Sequence, residues 1–301
     1  MGLLLKLVTR GMDGKCRDWE ARSEAGHRTP DGVEEFLDET FQGAGGAPLG
    51  VDIFRPKDRG PVPLPVVVVI HGGGLVVGTR KLTRTISENL VSKGFLVFNP
   101  EYRLLSEADA FSEIGDVFAA FTFVSEHLEE YGGDPNRVAV VSESAGCFLA
   151  VYAVASLGSP VLREALGLKE PSLHVSSLAC FSGMFYTFKR DMLSFAYAKT
   201  LYGEKRKDPS FKQLMDPECL EVMGHLPPMF LVSSDKDFLK NYTECYEAAL
   251  RKAEHPCKYL FYRGNKELDH AFPSLKPDLP ESREVLEELI GWIGKIEDGN
   301  S

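Results

Sequence analysis

Hydrophobic positions fall into two alternating patterns along most of this chain. Short runs dense in Val, Ile, Leu and Phe, at 66–70, 95–98, 138–141, 177–181, 229–233 and 257–262, have the length and β-branched content of buried strands. Longer runs with helical spacing lie between them. Residues 83–93 stop at Gly94, a helix-ending signal, and Ile114, Val117, Phe118, Phe121, Val124 and Leu128 repeat on one helical face. Residues 145–155 are almost wholly apolar, a helix is expected to end near Ala253, and 282–296 form a closing amphipathic helix. A further strand is expected at 50–55, ahead of a Pro-rich turn at 56–65. Strands alternating with helices of this length predict a single α/β domain over 1–301, its mostly parallel central sheet covered by helices on both faces. Two segments break the rhythm. Residues 1–42 combine an amphipathic start with a polar, Gly- and Pro-punctuated stretch near 26–32, and are expected to form an N-terminal arm or lid. Residues 183–226 are an aromatic-rich insertion between two strands, expected as a small cap at the strand ends where ligands bind in such sheets.

Composition narrows the partners. The formal net charge is −10 and no dense basic cluster occurs, so the long-range field repels nucleic acid and anionic membrane surfaces. Lys205, Arg206 and Lys207 read as a solvated loop. Cysteines at 16, 147, 180, 219, 245 and 257 form no CxxC pair and no metal-ligand spacing, which predicts reduced thiols, no bound metal and a cytoplasmic location. The start, MGLLLKLVTRGMDG, is too short and too interrupted by Lys6 for a signal peptide, and no run has the length of a spanning helix. No stable membrane insertion is expected.

Candidate chemistry collects at the C-terminal ends of the predicted strands. Ser144 sits on a tight strand-to-helix turn with Ala145 and Gly146 behind it, as in a nucleophile elbow, although the first position of the Gly-x-Ser-x-Gly pattern is Ser142. An ordinary turn with an N-cap serine is the alternative. His71, Gly72, Gly73 and Gly74 end a buried strand, and successive glycines can turn backbone N–H groups toward an anion. A sharp turn or a phosphate cradle would also use glycines, but the Lys-Ser/Thr of a P-loop is missing. Asp235 and Asp237 follow the strand at 229–233, and His270 is the only histidine beyond the last strand. Serine, acid, histidine is the chain order of α/β-hydrolases.

The chain resembles the α/β-hydrolase superfamily, and within it the hormone-sensitive-lipase-like esterases and bacterial acetyl esterases, over roughly residues 50–298. The resemblance rests on His71-Gly72-Gly73-Gly74, Tyr102-Arg103-Leu104, Gly133-Asp134-Pro135, Ser142 to Gly146, Pro227-Pro228 to Leu239, and His270 with Phe272. It implies Ser144 as nucleophile, His270 as base, and the amides of Gly73, Gly74 and Ala145 as an oxyanion hole. Alignment from Pro227-Pro228 onward puts Asp237, rather than Asp235, on the acid. Three positions depart from the family pattern: Ser142, Cys147, and Leu105-Ser106-Glu107 where Ala-Pro-Glu is common. Glu143 is expected to hydrogen-bond structurally, and Cys147 to pack. The expected reaction is two-step acyl transfer without cofactor or metal on short-acyl esters of small molecules. Phe185, Tyr186, Phe188 and Phe195 of the cap are expected to close the acyl site, or to fill a second small core. An amidase or formamidase on the same residues, and a non-catalytic binding protein, stay open, as does a homodimer.

Overall fold

The computed structural model describes residues 3–25, 27–169, 173–189, 191–297 and 299, and within these leaves out the side chains at 3–8, 22, 23, 192, 193, 195 and 196. Its strands are β1 Val33–Gln42, β2 Pro48–Pro56, β3 Leu64–Ile70, β4 Leu96–Pro100, β5 Gly133–Glu143, β6 Ser177–Phe181, β7 Met229–Ser234 and β8 Cys257–Tyr262. They form one sheet in the order β1-β2-β4-β3-β5-β6-β7-β8. The β1–β2 and β2–β4 pairs are antiparallel, and every pair from β4 to β8 is parallel.

The valine runs explain why the parallel part is central. Val66 and Val68 of β3, with Val138 and Val140 of β5, enter the core on one face; Val67, Val69, Ala139 and Val141 enter the core on the other. Each strand therefore buries both of its faces, and full burial of such a side chain contributes about 1.5–3 kcal/mol. The edge strand β1 reads differently. Glu34, Glu35, Asp38 and Glu39 give it a polar pattern, and a register shift between Phe36 and Glu39, with Asp38 at φ 58°, bulges it. Residues 33–42 of the expected arm are thus a strand of the sheet.

The helices are α1 Leu3–Glu24, α2 Arg84–Val91, α3 Ala110–His127, α4 Ala145–Gly158, α5 Pro160–Leu166, α6 Met192–Tyr202, α7 Pro209–Leu214, α8 Leu220–Met223, α9 Lys240–Lys252, α10 Phe272–Leu275 and α11 Pro280–Glu297. Side chains of α3, α4 and α9 pack on one face of the sheet, and those of α2 and α11 on the other. The apolar run of α4 is buried all round, which is why it shows no polar face. Residues between β6 and β7 carry α6, α7 and α8. Among the described residues no helix is long and apolar enough to cross a membrane.

Candidate active site

Ser144 stands between β5 and α4 with φ 51° and ψ −119°, a strained geometry for a residue with a side chain. Backbone bonds on both sides hold it there: its N–H donates to the Phe181 carbonyl at 2.9 Å, and its carbonyl accepts from the Met184 amide at 2.8 Å. Gly146 is required by close approach, since a Cβ there would run into the carbonyls of Ile70 and His71. Ser142 fits where glycine is usual because its hydroxyl donates across to the Ala179 carbonyl of β6 at 3.0 Å. Cys147 is fully buried, and burial pushes its thiol well above the ordinary range, so it packs rather than reacts.

The other two side chains arrive from the segments that follow β7 and β8. His270 Nε2 lies 2.7 Å from Ser144 Oγ, and His270 Nδ1 lies 2.7 Å from Asp237 Oδ1. Ala271, at φ 54°, turns the chain sharply behind the histidine, and its amide donates to Ser182 Oγ at 2.9 Å. Asp237 is only 2% exposed. Burial alone would push its carboxyl up, but the His270 bond and charge, the Leu239 amide at 2.9 Å and the Ser233 hydroxyl at 2.8 Å outweigh it, and the carboxyl is held below its ordinary value. Asp235 points elsewhere, to Lys236 at 3.2 Å and the Gly264 amide at 3.4 Å.

The glycine loop is pinned from below. Tyr102 donates its hydroxyl to the His71 and Gly72 carbonyls, both at 3.0 Å, and its ring stacks on His71 at 4.1 Å. His71 Nε2 meets Glu101 at 3.0 Å, and Glu101 meets Arg80 at 3.1 Å. Burial opposes ionisation of Glu101, yet these partners hold its carboxyl below the ordinary value. Glu143 accepts from the Gly72 amide at 3.4 Å, and burial pushes its carboxyl up, in line with a structural role. Gly73 and Gly74 both have positive φ, +106° and +63°. Their amides find no backbone acceptor among the described residues. Ala145 opens α4, so its amide is one of the helix's unpaired donors.

A cavity of about 540 Å³ joins Ser144, His270, Gly73 and Gly74. Its remaining walls hold a feature the sequence reading did not locate. Met12, Lys15, Cys16 and Trp19 line it at the spacing of one helical face, so α1 forms the outer wall. Thr79 donates to Glu20 at 2.8 Å and Lys81 pairs with Glu24 at 2.5 Å, tying α1 to the segment before α2. Burial, with nearby acids, pushes the Cys16 thiol up to about 11. Met184, Tyr197 and Phe238 line it as well, and the Phe238 ring lies 4.1 Å from that of His270. An amphipathic start was legible at residues 1–42; where it docks was not.

The cap aromatics go inward instead. Phe185 folds over Gly183, where a Cβ would collide with its ring, and stacks on Tyr246 at 4.4 Å. Tyr186 donates to Glu218 at 2.7 Å, and Phe188 stacks on Tyr202 at 5.0 Å. None of these three lines the cavity; they belong to or pack against the main hydrophobic core. Phe195 lies on α6 with its side chain outside the described residues.

Among the described residues one group has the side-chain types of a metal site, His27, Glu35 and Glu88. Arg84 bonds both carboxylates, at 2.7 and 2.9 Å, and His27 meets Glu88 at 2.9 Å, so the group is an ion-pair network away from Ser144.

Several known proteins are similar to this chain. The chain is 23% identical over 232 residues to a probable isoprenylcysteine alpha-carbonyl methylesterase of Oryza sativa subsp. japonica, covering 73% of this chain and 55% of that protein. It therefore spans about half the length of that relative. The versiconal hemiacetal acetate esterase of Dothistroma septosporum is 27% identical over 323 residues, covering 92% of this chain and 93% of its own. Among solved structures, esterase B from Lactobacillus rhamnosis, inhibited by a tributyrin phosphonate, superposes with TM-score 0.87 at 21% identity, covering 100% of both chains. Brefeldin A esterase, a bacterial homologue of human hormone-sensitive lipase, gives 0.75 at 21% identity, covering 98% of this chain and 86% of its own. These likenesses establish the α/β-hydrolase fold. The BD-FAE family profile matches residues 51–249, and the chain belongs to the BD-FAE family.

Proposed function

We propose that this protein hydrolyses short-acyl carboxylic esters of small molecules through an acyl-enzyme on Ser144. The observation that carries the reading is the unbroken line from Ser144 Oγ to His270 Nε2 and from His270 Nδ1 to Asp237 Oδ1, 2.7 Å at each step. An ionised Asp237 fixes the imidazole with its proton on Nδ1, which leaves Nε2 free to take the serine proton. Ser144 then attacks the ester carbonyl, and negative charge develops on its oxygen. The amides of Gly73, Gly74 and Ala145 receive that charge, and each such donor accounts for about 10²–10³ in rate. His270 returns its proton to the departing alcohol. The same imidazole activates the water that releases the acid.

The preference for small acyl groups is supported by the wall beside Ser144, not by the cap aromatics. Met184 donates its amide to the Ser144 carbonyl at 2.8 Å, and Tyr197 donates its hydroxyl to the Gly74 carbonyl at 2.7 Å. The Tyr197 side chain cannot retreat to admit a long chain without loosening the glycine loop. The names of two similar proteins, an acetate esterase and an esterase trapped with a tributyrin phosphonate, point the same way. We further propose that α1 acts as a lid element and 183–226 as a cap that supports, rather than lines, the site. The test is a series of p-nitrophenyl esters from acetyl to dodecanoyl, with a fluorophosphonate probe read out by mass at Ser144. Activity should peak between acetyl and butyryl and fall beyond about hexanoyl; a steady rise to dodecanoyl refutes the acyl preference, and unlabelled Ser144 refutes the mechanism.

A further inference from the structure

His71 follows β3 directly before the three glycines, and its ring is completely buried. Each of its nitrogens faces an oxygen that only accepts. Nδ1 lies 2.8 Å from the Gly72 carbonyl, and Nε2 lies 3.0 Å from Glu101 Oε1. A neutral ring has one proton. Placed on Nδ1, it leaves the Nε2 lone pair against the carboxylate; placed on Nε2, it leaves the Nδ1 lone pair against the carbonyl. Glu101 is itself ionised. Burial opposes its charge, but His71 and the amide and guanidinium of Arg80, at 3.3 and 3.1 Å, hold the carboxyl below its ordinary value. Both conflicts vanish only when both ring nitrogens carry protons, and the Tyr102 ring stacked 4.1 Å away presents a face that attracts a cation.

The bond from Nδ1 also sets the direction of a neighbouring amide. In a trans peptide the carbonyl and the N–H of the following residue point to opposite sides. The Gly72 carbonyl is drawn inward by His71 Nδ1 and by the Tyr102 hydroxyl at 3.0 Å, so the Gly73 N–H is turned outward, toward the cavity that Gly73 lines. We infer that His71 is a positioning residue held as an imidazolium, and that its Nδ1 proton aims the Gly73 amide at the substrate oxygen. Glu101 decides which proton is lost as pH rises. Its carboxylate keeps the one on Nε2, so the ring gives up the one on Nδ1, and the Gly72 carbonyl is left facing a lone pair. The other charged groups around the ring supply no substitute donor: Glu143 accepts from the Gly72 amide at 3.4 Å, and Arg80 is taken up by Glu101, by Asp52 at 3.0 Å and by Asp38. The inference rests on the hydrolase reading of Ser144.

The pH profile of kcat for p-nitrophenyl acetate tests it. The native protein should give a bell, whose acid limb reports the base His270 and whose alkaline limb reports loss of the Nδ1 proton of His71. In Glu101→Gln the side-chain amide can donate to Nε2, so a neutral ring keeps its proton on Nδ1, and the alkaline limb should disappear whatever the height of the plateau. Profiles of the same shape in both proteins overturn the inference. His71→Phe keeps a ring on Tyr102 but donates nothing. It should lower kcat about ten- to a hundredfold with KM little changed, part of what a full oxyanion donor supplies; an unchanged kcat overturns the positioning role. A second measurement is independent of turnover and uses isotope-labelled histidine with nitrogen NMR. In Ser144→Ala at neutral pH the His71 ring, identified by the signal that a further His71→Phe change removes, should carry protons on both nitrogens, and with Glu101→Gln on Nδ1 alone. A ring with a single proton in Ser144→Ala overturns the inference. If no ester is hydrolysed at all, the hydrolase reading fails, while the ring spectrum still decides the protonation of His71.

Discussion

The two walls of the cavity are held in different ways. The inner wall, with Ser144 and the glycine loop, is fixed by buried hydrogen bonds to backbone: Tyr102 to His71 and Gly72, Tyr197 to Gly74, Met184 to Ser144. The outer wall, α1, is tied by Glu20 to Thr79 and by an ion pair between Lys81 and Glu24 whose side chains are each about half exposed. Leaving a buried polar group unpaired costs about 1–3 kcal/mol, whereas an exposed ion pair contributes about 0–1 kcal/mol. The contrast separates two demands. Chemistry needs donors that do not move; recognition and entry need a surface that can be altered or displaced without disturbing them.

Substitutions on the two walls should differ in size and in kind. The largest effect is expected for Ser144→Ala, which should lower kcat for p-nitrophenyl acetate on the order of 10⁶-fold with an unchanged circular dichroism spectrum; retention of native turnover refutes the nucleophile assignment. Asp237→Asn should cost about 10⁴-fold in kcat, and Asp235→Asn at most a few-fold, because only Asp237 touches the imidazole. If the two effects were reversed, the acid would have been misassigned. Tyr102→Phe and Tyr197→Phe loosen the inner wall without touching substrate chemistry directly. Each should reduce kcat roughly fivefold, with KM little changed, from the loss of about 1 kcal/mol of hydrogen bonding. Steady-state kinetics on the same ester decide it, since a pure KM effect would mean these hydroxyls do not position the loop. On the outer wall, Thr79→Val with Lys81→Ala should raise KM only about two- to fivefold and leave kcat near native. A loss of kcat as large as that of Tyr197→Phe would erase the distinction between the walls.

Acidity gives a smaller, independent reading of the inner wall. The Asp237 carboxyl is held below its ordinary value in the folded chain. Its contribution to stability is therefore complete above the pKa it has when unfolded, and is lost as pH falls through the lowered folded value. The melting temperature of the native protein should exceed that of Asp237→Asn by most near about pH 7, and the gap should shrink toward about pH 3. A gap that grows on acidification would contradict the direction of the shift.

What was legible in the sequence follows the same division. The central strands, Ser144, His270 and the glycines announce themselves because buried strands must be apolar, and because positive φ and close backbone approach leave few residue choices, as at Gly73 and Gly146. Asp237 rather than Asp235 was expected beside His270 only through family likeness; a two-residue spacing does not say which carboxyl turns inward. Strand β1 was hidden by its own chemistry, since an edge strand with a bulge at Asp38 can carry four acids and lose the alternation that marks strands. The cap aromatics were legible as large buried rings but not as to which cavity they fill. Phe185 and Tyr186 had room to turn toward Ser144 in the sequence, and in the fold they stack against Tyr246 and bond Glu218. Helix α1 is the reverse case: its stripe Met12, Cys16, Trp19 was present, but docking is a tertiary event that periodicity does not encode.

The 126 residues separating Ser144 from His270 also set an order of events during synthesis. Domains begin to organise while their chains emerge from the N-terminal end. A chain that has emerged as far as Lys240 already has the elbow, the glycine loop and the acid, but neither β8 nor the imidazole that follows it. If His270 is the base proposed above, a nascent chain at that stage has nothing to deprotonate Ser144, whatever else has folded. On the proposed mechanism, turnover would begin only when the final loop docks, so the scaffold would be complete before the chain could cleave anything in its surroundings.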